Sequence, residues 1–216
     1  HAFDADEIAG GKVIVKTLPE GSKFTTLHNK ERVLQANDLM ICNEKEGMCM
    51  AGVFGGVKSG ITSKTKNIFL ESAHFSADYV RKTAQHHQLK TDSSFRFERG
   101  TDPDITVYAL KRAALLISEF AGGKIASEIV DVYPRKAENR LIEVKDKNVD
   151  RLIGKSIPRE EIFSILQRLD IEVKDSAPGR YKVSVPPYRV HVVQEADVVE
   201  EILRIYGFNN IELSNT

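Results

Sequence analysis

The sequence predicts an α+β protein in two parts, a mixed α/β, sheet-rich module followed by a smaller α+β module. Three observations predict it. Short β-rich runs separated by Gly, Asn and Asp fill the first 70 residues. Two segments with helical apolar spacing follow them, and after "PRKAENR" (134–140) a new strand, helix, hairpin and helix pattern begins. With 216 residues, the chain is long enough to bury one or two cores. The expected division is a first module over 1–133, a linker over 134–140, a second module over 141–211, and the start of a following segment over 212–216.

The elements are justified in order. "KVIVKTL" (12–18), "SKFTTL" (22–27), "DLMIC" (38–42) and "MCMAGVF" (48–54) are rich in β-formers and bounded by turn residues, so each is expected as a strand. "SADYVRKTAQHHQL" (76–89) offers Ser76 as an N-cap before apolar residues at helical spacing. "DPDITVYALKRAALLISEFAGG" (102–123) is a clearer helix: Asp102 or Thr101 can cap it, Pro103 fits its first turn, and Gly122-Gly123 ends it. "KIASEIVDVY" (124–133) reads as a strand. In the second module "LIEVK" (141–145) is a strand followed by a turn, and "PREEIFSILQRL" (158–169) is a helix opened by Pro158. "DIEVKDSAPGRYKVSV" (170–185) is a hairpin, "PPYR" breaks the chain, and "QEADVVEEILRIYG" (194–207) is a last helix.

Thirty-one basic residues balance thirty-one acidic ones, which neither requires nor excludes RNA as a partner. No apolar run approaches the roughly 20 residues that cross a bilayer, and "HAFDADEIAGG" lacks the basic start and apolar stretch of a signal peptide. The expectation is a cytoplasmic protein with no membrane partner. A start on His1 without Met and a stop on "NNIELSNT" read as a piece excised from a longer protein. Cys42 and Cys49 form neither a zinc ribbon nor a disulfide framework, and no two of the six histidines have the i, i+4 spacing of a helical zinc site.

Four glycines at 52, 55, 56 and 60 match neither a P-loop nor a Rossmann turn, so a phosphate cradle is not expected. Gly55 and Gly56 suit either a tight turn or a pocket wall approached closely by a ligand. Downstream, strand alternation in "NIFLESAHF" turns Glu71 to the face of Phe69 and Ala73. A carboxylate on an apolar face needs a donor, either a neighbouring side chain or a ligand hydroxyl. "SFRFERGTDP" fits an RNA-stacking surface or a strand with inward phenylalanines and paired Arg and Glu. Asp197, Glu200 and Glu201 stand at i, i+3 and i+4 of the last helix, where acidic residues are also favoured simply by the macrodipole.

Five stretches, in order and across essentially the whole chain, carry a family resemblance: "HAFDAD" (1–6), "AGVFGGVKSGITSKTKNIFLESAHF" (51–75), "LKTDSSFRFERGTDP" (89–103), "VPPYR" (185–189) and "EADVVEEILRIYGFNNI" (195–211). Together they closely resemble the β subunit of bacterial-type phenylalanyl-tRNA synthetase. The resemblance implies that 1–133 is the later part of the module that hydrolyses tyrosine mischarged onto tRNA(Phe). It implies that 141–211 is a small module whose helices resemble those of DNA-binding folds, so sequence-independent DNA binding is an alternative resting on fold analogy alone. Aminoacylation and ATP use belong to the whole enzyme and its α subunit in an α2β2 heterotetramer, so this piece is not expected to charge tRNA or bind ATP. The rival reading is a non-catalytic scaffold that braces the enzyme and holds tRNA. By the same resemblance, His1, Glu71 and Thr91 are catalytic-pocket residues, with Thr91 as a helix or turn cap the alternative. Gly55, Gly56 and Ser93 line the substrate, Ser93 standing where the family commonly has alanine. Asp197, Glu200 and Glu201 are implied Mg²⁺ ligands, completed in the family by an aspartate where this chain has His191, a poor ligand for a hard cation.

Overall fold

In the computed structural model, which describes residues 1–211, the turn-punctuated opening third folds as short antiparallel strands. These are β1 (Ala2–Asp4), β2 (Ile14–Thr17), β3 (Lys23–Thr25), β4 (Glu31–Val33), β5 (Leu39–Cys42), β6 (Gly47–Met50), β7 (Phe54–Gly55) and β8 (Ile68–Leu70). β2, β5, β6 and β7 form one sheet in that order, β3 pairs with β4, and β1 pairs with β8. The run expected as a single strand over 48–54 is broken in two. Gly52 adopts φ +69°, and the Val53 N–H donates to the Met50 carbonyl at 2.9 Å, so the chain reverses where β-propensity alone would continue it.

Helix α1 (Ala77–His87) lays Val80 and Ala84 on the core that contains Phe3, Leu34, Met40, Ile41 and Met50. Ser76 occupies its N-cap position without a side-chain cap bond. A polar clasp holds its far end. Asp38 is fully buried and accepts from Thr83 Oγ1 at 2.7 Å, His87 Nε2 at 2.7 Å and the Gln35 N–H at 2.8 Å. Each of these buried polar groups therefore has a partner, as burial demands.

The segment "SFRFERGTDP" does not form the strand weighed for it. Residues Asp92–Phe97 are helix α2, because Thr91 and Ser94 build a capping box: Thr91 Oγ1 accepts from the Ser94 N–H and Ser94 Oγ from the Thr91 N–H, both at 3.0 Å. Helix α3 (Thr106–Ala121) starts four residues later than Asp102. Asp102 instead accepts from the Asp104 N–H at 2.9 Å in a turn before the helix, and Gly122 closes it at φ +68°. The strand expected over 124–133 is absent. Its residues have β-propensity but no paired edge, and Val130 and Val132 are 85 % and 78 % exposed.

The chain divides into two compact units, His1–Val132 and Tyr133–Thr216. In the second, β9 (Arg140–Lys145), α4 (Asp146–Ile153), α5 (Arg159–Arg168), β10 (Glu172–Ala177), β11 (Arg180–Val185) and α6 (Glu195–Tyr206) follow in order. The sheet runs β10, β11, β9, all antiparallel. Ile142 and Val144 of β9 and Tyr181, Val183 and Val185 of β11 alternate into a core closed by Ile153, Ile165, Leu166 and Ile202 from the helices. Helix α4 stands where only a turn was expected. Its apolar residues are few, but Val149 and Ile153 at i, i+4 are buried and Gly154 ends it at φ +79°. The expected segment 212–216 lies outside the described residues.

Candidate functional site

The site is built where β1 and β8 run out. Phe3 lies opposite Phe69, and the pairing extends one residue further: the Glu71 N–H donates to the His1 carbonyl at 2.8 Å and the His1 amino group to the Glu71 carbonyl at 2.6 Å. The His1 ring rests on Phe3, centroids 4.4 Å apart. Beyond β8 the chain enters the wall of a cavity of roughly 400 Å³ through Glu71, Ser72, Ala73 and Phe75. β5 and β6 supply Ile41 and Cys49, the Gly52–Gly55 turn a second wall, and α2 presents Ser93 and Phe97, which at i, i+4 share one helix face. His1 stands at the edge. Phe69, expected on the same face as Glu71, is 38 % exposed and does not line the cavity.

The glycines divide by role. Gly55 lines the cavity, and a Cβ there would come within 2.9 Å of Leu27 and 3.1 Å of the His1 ring, so the bare backbone lets these two side chains pack against the turn. Gly56 is not in that wall. Its Cβ would stand 2.6 Å from the Met48 carbonyl oxygen, which makes it a packing requirement of the sheet. Ser93 lines the cavity with its hydroxyl turned to the Gly52 carbonyl at 2.9 Å. Thr91, expected in the pocket, does not line it; its hydroxyl accepts from Ser94 in the cap and donates to the Val53 carbonyl at 2.9 Å. It positions α2 against the glycine turn.

Burial pushes the Glu71 carboxyl up from its ordinary 4.5, and the His1 amino group, 3.6 Å from Oε2, partly opposes the rise. Burial and the Glu71 charge push the Cys49 thiol up to about 12, so it remains a thiol at neutral pH and is a poor nucleophile. Cys49, Ile41, Phe75 and Phe97 line the cavity without having been singled out in the sequence. Cys49 reads there as a reduced thiol and Phe97 as one of the phenylalanines of "SFRFERGTDP".

The acidic residues of α6 do not gather. Asp197 Oδ2 accepts from the Val193 and Gln194 N–H groups at 2.8 and 3.0 Å, which hold its carboxyl below the usual range as an N-terminal cap. Glu200 is exposed. Glu201 turns inward, 6 % exposed, with Arg189, His191 and Arg204 around it. Its burial raises the carboxyl pKa, and the hydrogen bonds and charges of these neighbours outweigh that and hold it low. Among the described residues no group of three or more His, Cys, Asp or Glu is placed to hold a metal ion. The residues therefore do not fit the Mg²⁺ that the resemblance implies.

The family model for the B3/4 domain matches residues 1–122, and that for the tRNA synthetase B5 domain matches residues 142–208. The chain is 53 % identical over 216 residues to the phenylalanine–tRNA ligase beta subunit of Bacteroides fragilis, covering 100 % of this chain and 26 % of that protein. It is 49 % identical to that of Porphyromonas gingivalis, over 99 % of this chain and 26 % of the relative. For Geobacter metallireducens the figures are 44 %, 99 % and 27 %. The chain thus spans about a quarter of the length of these curated relatives. A solved N-terminal fragment of the phenylalanyl-tRNA synthetase beta subunit from Pyrococcus horikoshii is 17 % identical, with TM-score 0.49, over 96 % of this chain and 59 % of that one. A B3/4 domain over more than half the chain, a B5 domain after it, and likeness along the whole chain to these bacterial relatives lead to one conclusion: the chain belongs to the B3/4 domain family, and is similar throughout to the B3/4–B5 quarter of phenylalanine–tRNA ligase beta subunits.

Proposed function

We propose that the cavity beside Glu71 is a proofreading site that hydrolyses tyrosine from mischarged tRNA(Phe), within an α2β2 enzyme whose α subunit uses ATP and Mg²⁺ to charge the tRNA. The observation that carries this reading is a half-buried carboxylate that lines a cavity together with Ile41, Val53, Phe75, Phe97 and the backbone of the glycine turn. Among the described residues no side chain donates to the Glu71 carboxylate, and the nearest charge is the His1 amino group at 3.6 Å. A cavity of roughly 400 Å³ lies within the size range of small-molecule sites.

The chemistry calls for such a site. A synthetic pocket shaped for phenylalanine cannot strongly reject an isostere that only adds a hydroxyl, so a second site has to read that hydroxyl. Glu71 accepts the tyrosyl hydroxyl. A phenylalanyl ester leaves the carboxylate desolvated and unpaired, a penalty of about 1–3 kcal/mol, so the correct product is spared. Ile41, Phe75 and Phe97 pack against the ring, and the backbone of the Gly52–Gly55 turn borders the aminoacyl group. His1, at the cavity edge, positions the tRNA 3′ end or the attacking water. Cys49, held as a thiol, takes no covalent part.

The test is deacylation by the full heterotetramer. Glu71→Ala is expected to slow hydrolysis of Tyr-tRNA(Phe) by about 10- to 100-fold, the equivalent of one lost charged hydrogen bond, with phenylalanine charging intact. Unchanged discrimination between tyrosyl and phenylalanyl esters would leave the two units as a tRNA-holding scaffold.

A further inference from the structure

Charge on the buried Glu201 of α6 has to be balanced, and the donors around it are all protein groups. Glu201 Oε2 lies 3.0 Å from Arg189 Nη1 and 2.7 Å from Arg204 Nη2. Oε1 lies 3.2 Å from His191 Nε2 and 3.3 Å from Arg204 Nε. Four donors meet about four lone-pair sites, so the carboxylate is saturated. Arg189 is also fixed from behind. Its side chain is 14 % exposed, and its Nε donates to the Leu169 carbonyl, where α5 ends, at 2.6 Å. One guanidinium thereby ties the α5 terminus, the "PPYR" break and α6 together.

A divalent cation finds no place in this arrangement. To reach Glu201 it would have to displace the half-exposed Arg204 and then lie beside the Arg189 guanidinium, which the Leu169 carbonyl holds in place. Asp197 has one oxygen, Oδ2, committed to the cap of the first turn of α6, so it can offer a cation Oδ1 alone unless the cap is lost. Where the resemblance implies an aspartate this chain has His191, which offers nitrogen to a cation that selects oxygen.

We infer that in this chain Arg189 and Arg204, with His191 as the third donor, replace a divalent metal as the counter-charge of α6, and that the B5 domain folds and stands independently of Mg²⁺. The device that joins α6 to the rest of its unit is a saturated carboxylate with guanidinium partners. His191 completes the set by donating to the one oxygen that Arg189 does not reach.

The experiment is a Mn²⁺ titration of the 216-residue chain followed by electron paramagnetic resonance, with thermal unfolding in EDTA and in Mg²⁺. The expected result is no stoichiometric Mn²⁺ binding below about 1 mM and the same unfolding midpoint in both buffers. One equivalent of bound Mn²⁺ that Glu201→Gln abolishes would overturn the inference. The double variant His191→Asp, Arg204→Met supplies a second arm by removing three of the four donors and adding a carboxylate. It is expected to gain a one-to-one Mn²⁺ site at least about tenfold tighter than any binding by the parent. If it keeps its helical circular dichroism and remains silent toward Mn²⁺, the donor set is not what excludes the metal and the inference fails. If it does not fold, the titration of the parent chain decides.

Discussion

At the scale of single residues, the site depends on a carboxyl placed where its charge is unwelcome. Burial raises the folded-state pKa of Glu71 above its ordinary 4.5, so ionisation opposes folding. The linkage sign follows: this cost is absent below the unfolded value, grows as pH rises through the folded one, and is complete above it. Glu71→Gln, neutral throughout, should therefore unfold at a higher temperature than the parent at neutral pH. The gap should close on acidification toward pH 4.5, as read by thermal melts across pH. A gap that widened in acid would contradict the burial of this carboxyl. The same substitution removes the acceptor proposed for the tyrosyl hydroxyl, so gained stability and lost deacylation are expected in one variant, a familiar opposition between activity and stability.

At the scale of elements, α2 carries the clearest local logic. Its cap chemistry overrides the β-propensity of Phe95 and Phe97 and brings Ser93 and Phe97 to the cavity. Thr91→Ala removes the acceptor for the Ser94 N–H and the donor to Val53. It should cost about 1–2 kcal/mol, measured by denaturant unfolding, with a larger loss in deacylation of tyrosyl ester than the stability change alone accounts for. Thr91→Ser, which keeps the hydroxyl, should restore both. The resemblance pointed to Thr91 as a pocket residue, and the cap reading of "KTDSS" competed with it; in the structure the hydroxyl is committed to the helix and the turn. Helix α4 was missed for the complementary reason, since a short polar helix becomes stable only by burying Val149 and Ile153 against a sheet that the local sequence does not mention.

At the scale of the whole molecule, two separate cores imply two separable losses. Leu166 is fully buried among Ile162, Ile165, Val183 and Ile202 in the second unit. Leu166→Ala should destabilise that unit by about 2–5 kcal/mol. Hydrogen exchange should show the loss in the amides of β9, β11 and α6, with protection in β5 and β6 of the first unit unchanged. Protection lost equally in both units would mean that they unfold as one. Among the described residues no helix is long and apolar enough to cross a membrane.

What the sequence by itself determined is local and periodic. The strands at 14–17, 23–25 and 39–42, the hairpin over 170–185 and the last helix follow from alternation, turn residues and apolar spacing, which act within a few residues of their cause. The tertiary structure decided what depends on a partner distant in the chain. "KIASEIVDVY" has strand composition and no edge to pair with, so it forms no strand; "MCMAGVF" is split because the reversal at Gly52 packs against Phe75, Val80 and Phe97. The site divides along the same line. Glu71 was legible as a carboxyl in apolar company, whereas Cys49 and Ile41 as its neighbours were not, because β5, β6 and β8 meet only in the fold. The face of α6 reads as three aligned acids; the structure gives one to a cap, one to solvent and one to Arg189, His191 and Arg204, because the only one of the three that is buried, Glu201, is met there by donors from outside its own turn and within it.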